Sequence, residues 1–163
     1  MSQHNDDLTV TDRFTIFEQL NLHQRCIDKG WGREQVDLYN RLYWPEAKFN
    51  VNDLRTSTFE GHDGMKQMFD YAHSVFPMDK WFHSMGAFEI SGSGDRAEAH
   101  WRWVVSWKAE HVGTVSTGTY DDIFERRDGI WKCLERTSKT DPNWPADLFQ
   151  PFLDAADTTF KAS

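Results

Sequence analysis

Only two cysteines occur in the 163 residues, Cys26 and Cys133, and they stand far apart. That excludes a disulfide framework and fits free thiols in a reducing compartment. Basic charge is also short. Against 26 Asp and Glu there are 18 Lys and Arg, a net charge of −8 and a pI near 5.3. Nucleic-acid binding relies on a basic footprint, so nucleic acid is not expected as a partner. No apolar run approaches the roughly 18 residues that signal a membrane span. The N-terminus, Met1-Ser2-Gln3-His4-Asn5-Asp6-Asp7, lacks the basic and apolar regions of a secretory signal. A cytoplasmic protein with no membrane partner is expected. The histidines show no His-x-His or His-x-x-x-His spacing and no cysteine pairs with them, so no metal is expected, nor any other cofactor. Repeats, low-complexity stretches and linkers are missing too. The expectation is one domain over 1–163, with 1–10 as a flexible N-terminus and 141–163 as a C-terminal lid or tail.

Aromatic side chains are what the chain has in excess: 15% of residues, including eight Trp and twelve Phe. Rings in such number can fill a core. They can also line a cavity for a flat or bulky apolar ligand, and one use does not exclude the other.

Helical patterns come first and strand patterns follow, which predicts α+β rather than alternating α/β. Thr11 is the expected N-cap of a first helix ending at Gly30, with Ile16, Leu20, His23 and Ile27 on one face and Phe17 beside them. A second helix is expected over 33–43, stopped by Pro45, then a short strand over 47–51. Phe59-Glu60-Gly61-His62-Asp63-Gly64-Met65 leads into a third helix carrying Met65, Met68, Phe69 and Ala72. After Pro77 the period changes to two. Strands are expected over 81–90, 97–108, 114–126 and 130–137, with turns at 91–95 and at Arg127-Asp128-Gly129. Asp-Gly between apolar strands is a strong hairpin signal. The segment 141–160 holds three prolines with Trp144, Phe149 and Phe152, and reads as a loop and a short helix. Three helices and a long curved antiparallel sheet make a cone, with a pocket between helices and concave face. Trp101, Trp103, Val105 and Trp107 share one face of their strand. Trp103, Trp107, Tyr120 and Asp121 are the candidates for the pocket wall, although alternation leaves open which face is concave.

Two places carry the chemistry. Arg25-Cys26-Ile27-Asp28 closes the first helix with His23 just before it, and His83 opens a long strand. A carboxylate and an imidazole so placed can form an acid–base dyad, because imidazole exchanges protons near neutral pH and a carboxylate on its other nitrogen fixes the tautomer. The plain alternatives are a surface carboxylate for Asp28, a backbone-bonded core imidazole for His83, and a satisfied core histidine for His23.

Asp28-Lys29-Gly30-Trp31, the Phe59–Met65 run, and the stretch from Tyr120 through Glu125-Arg126-Arg127-Asp128-Gly129-Ile130-Trp131-Lys132 together resemble the nuclear transport factor 2-like superfamily, in its SnoaL-like, polyketide-cyclase and scytalone-dehydratase branch. The resemblance spans about residues 12 to 155. It implies a cystatin-like cone. His83 falls where scytalone dehydratase, bile acid dehydratase and hexachlorocyclohexane dehydrochlorinase place a catalytic His. Asp28 falls where the two dehydratases place a functional Asp. The 143–152 tail resembles the lid of scytalone dehydratase, which makes Phe149 a candidate substrate contact. The pattern departs at His23, where the bile acid enzyme has a Tyr, at Trp107, which stands near the second His of scytalone dehydratase, and at Val51, near its substrate-binding Tyr. The resemblance implies a cofactor-independent, dehydratase-like lyase acting on a bulky cyclic or aromatic molecule, with His83 as base, Asp28 as its partner and His23 or a bound water as proton donor. A homodimer or homotrimer is also implied. The same fold serves isomerases, cyclases, ligand-binding proteins and the non-catalytic β subunit of aromatic-ring hydroxylating dioxygenases, which stand as alternatives.

Overall fold

A computed structural model describes residues 7–29, 33–51, 57–75, 78–108 and 113–142. The helices are α1 (Val10–Lys29), α2 (Arg33–Leu42) and α3 (Gly61–Val75). The strands are β1 (Tyr43–Val51), β2 (Ser57–Glu60), β3 (Trp81–Ser93), β4 (Arg96–Trp107), β5 (Thr114–Arg127) and β6 (Ile130–Thr140). One six-stranded sheet runs in the order β2-β1-β6-β5-β4-β3, curved and unclosed, with the helices against one face. The expected α+β cone is therefore present, with one addition and one change. β2 was not anticipated, and the β1–β6 pair is parallel in an otherwise antiparallel sheet. No described helix is long and apolar enough to cross a membrane.

α1 starts two residues before the expected point, because its cap is Thr9 and not Thr11. The Asp12 amide donates to Thr9 Oγ1 at 3.1 Å, and the Thr9 amide donates back to Asp12 Oδ2 at 3.1 Å. This is the reciprocal box of a Thr-x-x-acid start, and Thr11 has no acid three residues on. Asp12 Oδ1 also accepts from Trp131 Nε1 at 2.8 Å and Arg126 Nη1 at 3.0 Å. The cap thus ties the start of α1 to the β5–β6 hairpin. Residues 7–9, expected as part of a free arm, lie along β3: Asp7 bridges Ser93, and the Leu8 amide donates to the Gly92 carbonyl. The expected tail from 143 onward lies outside the described residues.

α2 ends at Leu42, and Pro45 sits inside β1 rather than beyond a loop. It is tolerated there because the β1–β6 register skips between Tyr43 and Lys48, so no ladder bond is asked of the missing N–H. In β4 the alternation is clean. Ala97, Ala99, Trp101, Trp103 and Val105 are buried toward the helices, while Glu98, His100 and Arg102 are exposed on the outer face. Breaks in the alternation of β3 and β6 shape the interior. In β3 a bulge between Gly86 and Glu89, with Ala87 at φ 52°, turns Phe88 inward after His83 and Met85. In β6 the register shift opposite Ile123 and Phe124 turns Arg136 inward after Trp131 and Cys133.

Burial and hydrogen bonding act on Asp12 in opposite directions. Its bonds from Thr9 and Trp131 dominate and lower its pKa from 3.8 to about 2. A lowered carboxylate pKa stabilises the fold above the unfolded value, and the effect fades as pH falls from about 4 through about 2. In urea unfolding, Asp12→Asn is expected to cost about 2 kcal/mol near neutral pH, with the gap to wild type narrowing below about pH 4. A gap independent of pH would contradict this account. Gly118 offers a second check. A Cβ there would lie 2.3 Å from the Lys139 carbonyl oxygen and 2.3 Å from Trp103 Cζ2 on the neighbouring strand. Gly118→Ala should therefore lower stability by about 1–3 kcal/mol through overpacking.

Candidate active site

The C-terminal half of α1 and the first half of β3 face each other at the edge of the sheet. Asp28 stands in the last turn of α1, and His83 is the third residue of β3. Asp28 Oδ1 lies 2.6 Å from His83 Nδ1, and both carboxylate oxygens accept from the His83 backbone amide at 3.1 and 3.2 Å. The side chains are 26% and 10% exposed, respectively, so the pair is shielded yet reachable. The two side chains expected to pair are therefore in hydrogen-bond contact. With Nδ1–H donated to Asp28, the lone pair of that tautomer sits on Nε2.

The dyad opens on a cavity of about 290 Å³ lined by Phe17, Asn21, Gln24, Arg25, Asp28, His83, Met85 and Phe88. One wall is the stripe 17, 21, 24, 25 and 28 of α1, at helical spacing. The other is 83, 85 and 88 of β3, and the bulge is what brings residue 88 onto it. Phe17 and Phe88 close the far end edge to face, their centroids 4.9 Å apart. The cavity thus grades from charge at Asp28 and His83, through amides at Asn21 and Gln24, to rings.

The sequence placed other residues on this wall, and the structure distributes them differently. Trp103 and Tyr120 are buried on the inner face but belong to the packed core, 6.1 Å apart. Trp107 is half-buried and packs its ring on Trp81. Asp121 is on the outer face, in a separate recess of about 470 Å³ with Glu98, His100 and Glu135, where it lies 2.6 Å from His100 Nδ1. Strand alternation forces this, since Tyr120 next to it points inward. That second His–Asp contact is 49% and 45% exposed, so water screens it, and it does not match the shielded dyad as a place for proton transfer. Phe149 lies outside the described residues.

His23 is not on the cavity wall either. It is sealed one layer deeper, 1% exposed, with the rings of Tyr39, Tyr43, Phe69, Trp101 and Tyr120 at 5.9–6.4 Å. Burial, reinforced by the charges of Arg136 and His83, lowers its pKa well below 6.5, so the ring is neutral. Its Nδ1 is 2.7 Å from Tyr43 Oη, which accepts from Arg136 Nη1 at 2.8 Å. Arg136 can only donate, so the Tyr43 O–H is the proton available to His23 Nδ1. The imidazole then carries its own proton on Nε2, a buried atom with no hydrogen-bond partner.

Beneath His23 lies a network that the sequence reading missed. Arg136 is clamped by Asp122 at 2.6 and 2.7 Å, and Asp122 also accepts from Trp101 Nε1 at 2.8 Å. Burial works against the Arg136 charge, but the Asp122 carboxylate outweighs it and the guanidinium pKa is raised. Counting in twos from Trp131 and Cys133 puts residue 135 inside and 136 outside, so only the bulge reveals Arg136. The cavity residues Asn21, Gln24 and Arg25 were readable in principle, as the α1 stripe that ends at Asp28. Among the described residues no group of three His, Cys, Asp or Glu side chains converges on a point that could hold a metal.

The chain belongs to the SnoaL-like domain family, whose model matches residues 9–137. Its fold is similar to that of a cystatin-like protein of unknown function from Nostoc punctiforme, at TM-score 0.74 and 20% identity, covering 85% of this chain and 98% of that one. A hexachlorocyclohexane dehydrochlorinase from Novosphingobium barchaimii aligns at TM-score 0.67 and 16% identity, over 81% and 88% of the two chains. A candidate scytalone dehydratase from Novosphingobium aromaticivorans aligns at 0.63 and 14%, over 81% and 85%. A search of curated proteins gives no match. At these identities the likeness establishes the shared fold.

Removing one partner of a buried pair strands the other charge. Asp122→Ala should cost about 3–5 kcal/mol in chemical unfolding, and adding Arg136→Met to it should recover part of the loss. A double variant no more stable than Asp122→Ala would contradict the view that the stranded guanidinium is the source of the cost.

Proposed function

We propose that this protein is a cofactor-independent lyase that removes water, or a similar small leaving group, from a cyclic or aromatic small molecule. The observation that carries the reading is the 2.6 Å contact between Asp28 Oδ1 and His83 Nδ1 at the wall of a cavity. His83 Nε2 takes a proton from a carbon of the substrate. Asp28 holds the ring by its other nitrogen and stabilises the imidazolium that forms. The His83 backbone amide, bonded to the same carboxylate, fixes the two groups as one unit.

Proton return to the leaving group has two sources in this reading. The His83 imidazolium can deliver the proton it has just taken. Alternatively a water bound in the cavity delivers it; His23 is neutral and sealed away from the cavity, so it does not reach the leaving group directly. The rings of Phe17 and Phe88 hold the apolar part of the substrate and exclude water. A cavity of about 290 Å³ is at the lower end of the range for small-molecule sites, so roughly one or two fused rings fit.

The test is turnover of a panel of cyclic alcohols, followed by the absorbance of the new double bond. His83→Ala and Asp28→Asn should each lower kcat/KM by about a hundred- to ten-thousand-fold while far-ultraviolet circular dichroism stays unchanged. Full activity in His83→Ala would sink the reading, as would a wild-type protein that binds such alcohols and transforms none of them.

A further inference from the structure

Gln24 is buried to 5% exposure on the cavity wall, and neither its amide oxygen nor its amide nitrogen has a hydrogen-bond partner. Its neighbours on the wall are differently placed. Asn21 spends its amide nitrogen on the Phe17 carbonyl at 2.9 Å, the ordinary backbone contact of an amide one helical turn on, and is exposed. Arg25 is exposed as well. Gln24, unlike Asn21 and Arg25, combines near-complete burial with a donor and an acceptor that are both unpartnered and themselves sealed from solvent, so a turn of the side chain is what presents them to a ligand. Such groups are rare in folded proteins, because a buried polar atom without a partner has lost its water and gained nothing in return. An apolar residue of the same length would occupy the position without that penalty. Gln24 also stands one helical turn before Asp28, so the two side chains lie on the same face of α1.

We infer that Gln24 is the specificity-determining residue of this site, its amide gripping an oxygen substituent on the ring of the substrate next to the carbon that His83 deprotonates. This rests on the lyase reading for the word substrate, and on the cavity alone for the binding. An amide that offers N–H and C=O together matches a hydroxyl, which accepts and donates at one atom. A carbonyl would satisfy the N–H half. Carbon-bound chlorine satisfies neither well, so the site is built for an oxygenated ring and not for a halogenated or bare hydrocarbon. The gradation along the cavity then has a meaning. The apolar part of the ligand sits on Phe17 and Phe88, its oxygen at Gln24, and its acidic C–H at His83.

The experiment is equilibrium binding, by calorimetry, of a matched pair of probes, 1-tetralol and tetralin, which differ by one hydroxyl. The intact chain, Gln24→Leu and His83→Ala are compared, and thermal unfolding of each is recorded without ligand. Wild type is expected to bind 1-tetralol about tenfold or more tighter than tetralin. Gln24→Leu should abolish that preference, keep or improve tetralin binding, and unfold at the same or a higher temperature, since the buried amide is gone. His83→Ala should keep the preference, because recognition does not need the base. Three results would overturn the inference: equal binding of the two probes by wild type, binding of neither, or a Gln24→Leu variant that keeps the preference while losing thermal stability. The last would make Gln24 a structural residue. If the preference follows Gln24 and no cyclic alcohol is turned over, the lyase reading falls and the recognition role stands.

Discussion

A positive charge is buried at the centre of this molecule, and the arrangement around it follows from the need to hold it there. Arg136 has 1% of its side chain exposed. An unpaired guanidinium in that position would carry a penalty of several kcal/mol, so its charge must be met, and each of its three nitrogens has a partner. Asp122 meets Nε and Nη2, and Tyr43 Oη meets Nη1. The faces of Trp101 and Tyr120 lie 5.3 and 4.9 Å from the guanidinium carbon, close enough for their π electrons to contribute. Asp122 in turn takes the Trp101 indole N–H. One ion pair thus fixes the orientation of a tryptophan, a tyrosine and, through that tyrosine, the histidine above it.

This explains where the aromatic excess of the sequence went. A chain with eight Trp and twelve Phe suggests a wide ring-lined cavity. Much of that ring surface instead packs around His23 and Arg136, with Tyr39 stacked on Tyr43 at 4.9 Å and Trp101 against Tyr120 at 4.6 Å. The open space lies off this mass, between α1 and the edge strand β3, and among the described residues takes the rings of Phe17 and Phe88. A dense core directly beneath a small cavity gives the dyad a rigid floor, which preorganised acid–base chemistry requires.

The parts of the fold that obey simple periods could be read from the sequence. Three helices, the Asp-Gly hairpin and the alternation of β4 follow from spacings of 3.6 and 2 and from turn chemistry, since Asp128 and Gly129 adopt the left-handed conformations such a turn needs. Asp28 and His83 could be placed because one ends a helix and the other begins a strand. What could not be read depends on bulges. The insertion in β3 decides that Phe88 lines the cavity, and the shift in β6 decides that Arg136 is inside, yet neither carries a glycine or proline at the switching residue. A one-residue change of parity reverses every later side chain on a strand, so counting in twos fails beyond it. Asp121 failed for the opposite reason: counting worked, but the direction of the sheet's curvature was needed to say which face was concave.

The same acid–imidazole pairing occurs twice on this sheet with the same 2.6 Å separation, and the comparison shows what makes one of them a candidate for catalysis. His100 and Asp121 sit across from each other on β4 and β5, held by strand register, with Lys139 drawing on the other oxygen of Asp121 at 3.1 Å. That carboxylate is shared with a cation and lies in solvent, which screens the pair. Asp28 has a different neighbourhood. It stands at the negative end of α1, where a carboxylate is electrostatically disfavoured, and what offsets this is His83 itself, through the ring and the backbone amide. The helix-end carboxylate is thus held by one imidazole and one backbone amide of β3, shielded from solvent, whereas the outer-face carboxylate divides its oxygens between an imidazole and a lysine in the open.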